Sequence, residues 1–230
     1  MSMKRYRRII TVASITGIVG AIAAVTALAS SPPGGTGGSE SSGPGQAQPA
    51  GGVAAPDAEQ LAAFGAFRRG ATPVDQRVAH DQDALKTLQG AQASAQANPS
   101  LARNVYASEA GSVFLVPGDG NLCLLVSGNA FGRVATCATN AQAIAGGLGF
   151  VYYSTAPSGQ VSDFTIAGVL PDGARDVQIV DEAGNATPVP LSQDNGYWAA
   201  TASAAKMTWR SADGTPQTLP LPRGDSSFGG

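Results

Sequence analysis

The longest uninterrupted hydrophobic stretch of the chain lies close to its N-terminus. Residues 9–29 carry no charge and follow a basic head, residues 1–8, which contains Lys4, Arg5, Arg7 and Arg8. At about 1.5 Å of rise per residue, a helix of this length reaches roughly 31 Å, enough to cross an apolar bilayer core of about 30 Å. Because basic residues favour the cytoplasmic side, the pattern predicts a single-pass transmembrane helix with the rest of the chain outside.

The same segment also has features of a cleavable signal peptide. Ala27-Leu28-Ala29 is a small-x-small motif at the end of the apolar run, and the run is rich in Ala, Gly, Ser and Thr rather than Leu. Its length exceeds the usual apolar region of about 7 to 15 residues in a signal peptide. We therefore favour an uncleaved signal anchor over secretion after cleavage near Ala29, and both alternatives stay open.

Residues 30–56 form the most polar and least complex part of the sequence. They are almost entirely Gly, Ser, Pro, Ala and Gln, with Glu40 as the single charge and Val53 as the single large apolar residue. Such a composition buries too little surface to offset the entropy of ordering. The segment is therefore predicted to be a disordered linker, with an r.m.s. span of roughly 30 Å.

The next segment, residues 57–98, has the period of short helices and is interpreted as a helical neck. Asp57 is a suitable N-cap, apolar residues follow at a spacing of three at Leu61, Phe64 and Phe67, and Gly70 ends the pattern. A second helix is expected between Val74 and Asn98, where apolar residues are sparse. Its end is marked by Pro99, which disfavours a helical conformation at the residue before it.

From residue 110 onwards the pattern becomes that of short β-strands. Eight runs rich in β-branched and aromatic residues alternate with turns that contain Gly, Asn, Asp and Pro. The runs are Val113–Val116, Leu122–Val126, Val134–Cys137, Phe150–Ser154, Phe164–Leu170, Val177–Val180, Tyr197–Ala200 and Met207–Arg210. The fold class is therefore α+β, mainly β: an antiparallel β-sheet or small sandwich over residues 110–221, with a short helix near Asn140 to Gly147 and a flexible tail at 222–230.

A faint repeat links two of the expected hairpins. Shifting residues 177–191 by thirty positions aligns Gly184 with Gly214, Pro190 with Pro220 and Leu191 with Leu221. Both copies have the order strand, glycine turn, strand. With only three identities, the similarity indicates shared hairpin chemistry rather than a repeat architecture.

The two cysteines, Cys123 and Cys137, lie symmetrically about Ala130 in neighbouring strand-like runs. In a hairpin centred on that residue they face each other at a cross-strand distance that permits a disulfide bond. An oxidising compartment outside the membrane favours this bond. Two buried free thiols or a metal site are the alternatives, and the absence of a CxxC or Cys/His pair argues against metal.

No set of residues in the sequence identifies a catalytic centre, a cofactor or a metal site. The single histidine, His80, lies on a polar helix, and no G-x-S-x-G motif accompanies it. Four acidic residues, Asp172, Asp176, Asp181 and Glu182, could meet near one hairpin end, but their occurrence as ordinary turn residues is the better explanation.

Without its four N-terminal cations the chain has ten basic and sixteen acidic residues, a net charge of about −6, which argues against a nucleic-acid partner.

The segment Gly168 to Val177, with Pro188-Val189-Pro190 and Asp194-Asn195, resembles uncharacterised secreted or membrane-tethered proteins of high-GC Gram-positive, actinobacterial-type bacteria. The resemblance implies an extracytoplasmic domain and no active-site residues.

The sequence thus favours a binding or structural module at the cell surface, with a surface protein or wall component as partner. A cell-envelope hydrolase acting on peptidoglycan or an ester is the alternative. Five aromatic residues are candidate ligand anchors or core residues: Tyr152, Tyr153, Tyr197, Trp198 and Trp209.

Overall fold

The computed structural model describes residues 6–10, 55–91, 96–155 and 161–221. Three antiparallel four-stranded sheets dominate this part of the chain, so the prediction of a mainly β fold is confirmed. The helices are α1 (Ala58–Ala63), α2 (Arg77–His80), α3 (Gln82–Ala91) and α4 (Asn140–Gly146), with 3-10 turns at Gly65–Phe67 and Pro99–Leu101. The strands are β1 (Tyr6–Ile10), β2 (Arg103–Ala107), β3 (Gly111–Pro117), β4 (Asn121–Gly128), β5 (Gly132–Thr139), β6 (Leu148–Thr155), β7 (Val161–Val169), β8 (Arg175–Val180), β9 (Ala186–Pro188), β10 (Gly196–Thr201), β11 (Lys206–Arg210) and β12 (Pro216–Pro220).

The sheets stack in layers with sheet II in the middle. Sheet I has the order β2-β3-β4-β5, sheet II the order β1-β6-β7-β10, and sheet III the order β12-β11-β8-β9. One core, containing Leu115 and Phe150, lies between sheets I and II, and a second, containing Ile166 and Trp209, lies between sheets II and III. A third core joins the outer face of sheet I to helices α2 and α3. Both faces of sheet II are therefore buried, which explains its nearly continuous apolar strands.

The predicted strands agree with the structure, and the omissions have a common cause. All eight predicted runs lie within strands, except for Leu170, which follows β7 directly. Besides β1, whose residues were assigned to the basic head and the membrane anchor, strands β2, β9 and β12 were not predicted. Strand β2 begins with Arg103 and Asn104, β9 has three residues, and β9 and β12 contain prolines. Proline and polar residues are tolerated at sheet edges, where all three strands lie, so their pattern is weak.

The faint repeat corresponds to two equivalent hairpins of sheet III. In the first hairpin Gln178 pairs with Pro188, and in the second Thr208 pairs with Thr218, so the register is the same after a shift of thirty residues. The turns also match, because Gly184 and Gly214 have φ angles of 88° and 87°. The inward-facing residues of both copies enter one core: Val177 with Met207, Ile179 with Trp209, and Val189 with Leu219.

The helical neck is divided more finely than the sequence indicated. Asp57 caps α1 as predicted, in a reciprocal capping box with Gln60. The helix ends at Ala63 instead of continuing to Gly70, because Phe64 takes an extended conformation and buries its ring in the core between sheets I and II. The single helix expected after Val74 is two helices, because Asp81 is extended and its carboxylate accepts the N–H of Ala84 at the start of α3.

The predicted transmembrane segment lies almost wholly outside the described residues. Only Ile9 and Ile10 belong to them, and both lie in β1 rather than in a helix. Strand β1 pairs antiparallel with β6, from Tyr6 opposite Thr155 to Ile10 opposite Val151. No helix within the described ranges is long and apolar enough to cross a membrane. The linker predicted at 30–56 and the tail at 222–230 lie, apart from residues 55 and 56, outside the described residues as well.

Candidate functional site

The two cysteines are joined as the hairpin symmetry predicted. Cys123 and Cys137 are directly opposite in the β4–β5 register, with their Cα atoms 4.0 Å apart and their sulfur atoms bonded. Both are buried against helices α2 and α3. The bond closes a loop of about 15 residues, which stabilises the fold by roughly 3 kcal/mol relative to the reduced chain.

A buried ion pair fixes the neck to the exposed edge of sheet I. Arg69 donates two hydrogen bonds to Asp75, at 2.7 and 3.1 Å, and a third, of 2.7 Å, to Asp194. Asp75 is 1% exposed and also accepts the N–H groups of Thr72 and Asn104. Burial by itself would raise the pKa of Asp75, but the hydrogen bonds from Arg69, Thr72 and Asn104 outweigh it and hold that pKa well below its usual value.

These side chains take the place of a neighbouring strand beside β2. The N–H of Asn104 donates to Asp75, and its carbonyl oxygen accepts Arg69 at 2.9 Å. The next carbonyl, of Val105, accepts the hydroxyl of Ser192. Because the edge groups of β2 are satisfied in this way, the network is structural. Neither Arg69 nor Asp75 was singled out from the sequence.

Two further groups of polar contacts, centred on Gln60 and Asp172, hold the neck against the β-strands. Gln60 is fully buried, and its amide nitrogen donates to the carbonyl oxygens of Gly118 and Asn121 and to the side-chain oxygen of Asn140. Asp172 accepts the N–H of Gly65 at 3.0 Å and forms an ion pair with Arg68. Residues 57–75 are therefore packed on the β-rich part of the chain and do not stand away from it.

The structure distinguishes core aromatics from the partly exposed ones. Tyr152, Tyr153, Tyr197 and Trp209 are at most 7% exposed and belong to the cores. Trp198 is half-buried and stacks between Tyr106 and Phe131, with ring centroids 6.4 and 6.0 Å away. The Trp198 ring lies against glycines, since a Cβ atom on Gly111 would lie 2.4 Å from it. These three rings seal the rim of the core between sheets I and II.

A cavity of a size suited to a small ligand lies between helices α1 and α4 and the β11–β12 turn. It has a volume of about 490 Å³, within the range of small-molecule sites. Its apolar wall includes Ala62, Ala63, Ile144, Ala145 and Trp209, and its polar side chains are Asp172, Ser211, Asp213 and Gln217. Hydrogen bonds from the Ser211 hydroxyl and the Thr215 N–H lower the pKa of Asp213, so this residue is a carboxylate at neutral pH.

The residues considered for catalysis do not come together. His80 is exposed at the end of α2, beside a wide, open depression. Asp172 pairs with Arg68, Asp176 lies 3.7 Å from Arg210, and Asp181 accepts a hydrogen bond from Asn185, so these three carboxylates have separate partners. Within the described ranges no three His, Cys, Asp or Glu side chains are placed to hold a metal ion.

Arg103 differs from the other buried charged residues. It is 8% exposed, and its Nη1 donates to the carbonyl oxygens of Leu101 and Ala102. Its Nε is buried without a hydrogen-bond partner among the described residues. Within the described ranges, no carboxylate forms an ion pair with this guanidinium to compensate its burial, whereas Arg69 pairs with Asp75 and Asp194.

The described residues form a disulfide-bonded, mainly β module of three stacked sheets, with an apolar cleft beside Trp209. Compared with models of known protein families, with curated proteins and with solved structures, the chain matches none.

Proposed function

We propose that the chain is a membrane-tethered extracytoplasmic protein whose β-rich part works as a binding or structural module at the cell surface. In this arrangement residues 1–8 are cytoplasmic, residues 9–29 cross the membrane, and residues 30–56 form the spacer. The ligand or partner is a surface protein or a wall component. The positive charges of Lys4, Arg5, Arg7 and Arg8 set the orientation.

The observation that carries the proposal is the disulfide between Cys123 and Cys137. Structural disulfides form and persist in oxidising compartments and are rare in the cytosol. A chain that begins with a basic head and an uncharged apolar stretch reaches such a compartment. The two features are independent of each other and favour the same location.

The cleft beside Trp209 supports a binding role. It is the right size for a small group, and its apolar wall is interrupted by few polar side chains, as in most ligand sites. Asp172 is already engaged by Arg68, Gly65 and Asn195. The other polar side chains of the cleft are Gln217 and the hydrogen-bonded pair of Ser211 and Asp213, which leaves the second carboxylate oxygen of Asp213 for orienting a ligand.

The orientation is tested with a membrane-impermeant maleimide on intact cells. Two variants each add one thiol, Ser42→Cys in the spacer and Ser2→Cys in the basic head, while the native cysteines stay oxidised. We expect the spacer thiol to react in intact cells and the head thiol to react only after lysis. Labelling of the head in intact cells, or protection of the spacer, would show that the proposed orientation is wrong.

The second candidate is a secreted form of the same module. It is favoured by the Ala27-Leu28-Ala29 motif, which is suited to cleavage before Ser30. In that case both added thiols are absent from the cell pellet, and the protein in the medium retains only the one in the spacer.

A further inference from the structure

The exposed edges of the three sheets are protected in different ways. In sheet III, β9 is only three residues long and ends in Pro188, and β12 begins and ends with prolines. In sheet I, the edge groups of β2 are occupied by Asp75, Arg69 and Ser192. Proline, short strands and covering side chains are the usual means of preventing unwanted strand pairing.

Strand β6 has none of these protections. It extends over eight residues, Leu148–Thr155, without a proline or a charged residue, and both of its faces are buried. One edge pairs with β7, and among the described residues the only strand paired with the other edge is the five-residue β1. A long, apolar and uncharged strand edge pairs readily with another extended chain.

Strand β1 and the proposed membrane anchor use the same residues. Ile9 and Ile10 pair with Tyr152 and Val151 in the structure, and they are also the first residues of the proposed transmembrane helix. A segment that enters the membrane, with its basic head on the cytoplasmic side, is unable to pair with a strand outside the cell. Cleavage after Ala29 would remove β1 as well. Either event uncovers the outer edge of β6.

We propose that the outer edge of β6 is a binding site for an extended peptide segment of another protein outside the cell. The segment pairs antiparallel with residues 151–155 and takes the position that Tyr6–Ile10 occupies in this structure. This inference rests on the proposed function, because it requires that β1 is withdrawn by the anchor or by cleavage. Main-chain hydrogen bonds of the added strand supply the affinity, as in other cases of strand addition to a sheet edge.

The sequence of β1 indicates the chemistry of the partner segment, because β1 occupies the proposed binding site in this structure. Tyr6–Ile10 reads Tyr-Arg-Arg-Ile-Ile, with two adjacent basic residues followed by β-branched residues. The remainder of the chain carries a net charge of about −6 once the four N-terminal cations are set aside, so a basic strand is complementary to it. β-Branched residues also favour the extended conformation that the pairing needs.

The test uses the full-length chain inserted in lipid nanodiscs and a labelled peptide with the sequence of residues 4–11. We expect saturable binding of one peptide per chain. The control peptide carries Ile9→Pro and Ile10→Pro and keeps the charge. Because N–H groups of successive strand residues point in opposite directions, one of the two prolines removes a ladder donor. This peptide is expected to bind at least about tenfold more weakly.

Hydrogen exchange provides the second measurement in the same sample. Without peptide, amides of β6 should exchange faster than those of β4, which has a neighbour on both sides. The peptide should slow exchange in β6 and leave β4 unchanged.

Equal binding of both peptides, or a β6 that is equally protected with and without peptide, would overturn the inference. Protection by a dimer of this chain would assign the edge to a second copy and overturn the partner proposed here. A chain that does not enter the nanodisc would instead contradict the membrane anchor, so the two failures are distinguishable.

Discussion

Gln178 and Thr208 lie thirty residues apart in the chain and directly opposite each other at the centre of sheet III. Each occupies the same position in its own hairpin, opposite Pro188 and Thr218, respectively. The two hairpins are therefore related by an approximate twofold axis that passes between these residues. The relationship is broken near Asp176, where the register between β8 and β11 shifts and Arg210 pairs with Arg175.

The equivalence of the hairpins predicts equal effects of mutations at the two turns. Gly184 and Gly214 both have φ near 88°, a conformation that costs other residues about 1–2 kcal/mol. We expect Gly184→Ala and Gly214→Ala each to lower the free energy of unfolding by that amount, measured by denaturant titration. If the losses of unfolding free energy in the two variants differ by more than about 1 kcal/mol, the turns are not energetically equivalent.

The partly buried Arg69 and the buried Arg103 are expected to respond differently to removal. Arg69→Met leaves the carboxylate of Asp75 buried without its cation, which should cost about 3–5 kcal/mol of unfolding free energy. Among the described residues, Arg103 forms no ion pair with a carboxylate, and its buried Nε has no hydrogen-bond partner. We therefore expect Arg103→Met to change stability by no more than about 1 kcal/mol. Equal losses in the two variants would contradict this assignment.

The Arg69 and Asp75 pair also predicts how stability depends on pH. The pKa of Asp75 is lower in the folded chain than in the unfolded chain, so its contribution is complete above the unfolded pKa of about 3.9. The contribution is lost as the pH falls through the folded value. Melting temperatures measured from pH 7 to pH 2 should therefore fall more steeply in the native chain than in Asp75→Asn. Parallel curves would show that Asp75 is not the responsible group.

Glycines beside the aromatic rim should be sensitive to a single methyl group. A Cβ atom on Gly128 would lie 2.5 Å from the Phe131 ring, so Gly128→Ala should cost about 1–3 kcal/mol through overpacking. Gly90 in α3 is the control, because no atom outside its chain neighbours and the backbone of its own helix lies within 4 Å of an added Cβ. Gly90→Ala should raise the unfolding free energy by about 0.5–1 kcal/mol. Adding Phe131→Ala to Gly128→Ala should reduce the apparent cost of the glycine substitution in a double-mutant cycle.

The sequence predicts those parts of the fold in which local pattern and tertiary environment agree. Strands such as Leu122–Val126 are apolar because both faces are buried, and the spacing of Cys123 and Cys137 about Ala130 is enough to predict their pairing. The neck was predicted less well, because the end of α1 is decided by burial of Phe64 against distant strands. No local pattern carries that information.

The same reasoning explains why the polar contacts were not found from sequence. Asp75 binds Arg69, six residues away, but also Asn104 in β2, and Gln60 bonds to groups near residues 118–140. These contacts depend on the packing of the neck against the sheets. The cleft beside Trp209 likewise combines residues from α1, α4, β11 and β12 that are far apart in the chain.

The most direct test of the central claim is the intact mass of the protein recovered from membrane and medium fractions, before and after reduction and thiol alkylation. The proposed membrane-tethered, disulfide-bonded module predicts a full-length species in the membrane fraction whose two thiols are alkylated only after reduction. A soluble species that begins at Ser30 would support the secreted form instead. Thiols that react freely without reduction would contradict the extracytoplasmic location on which the account rests.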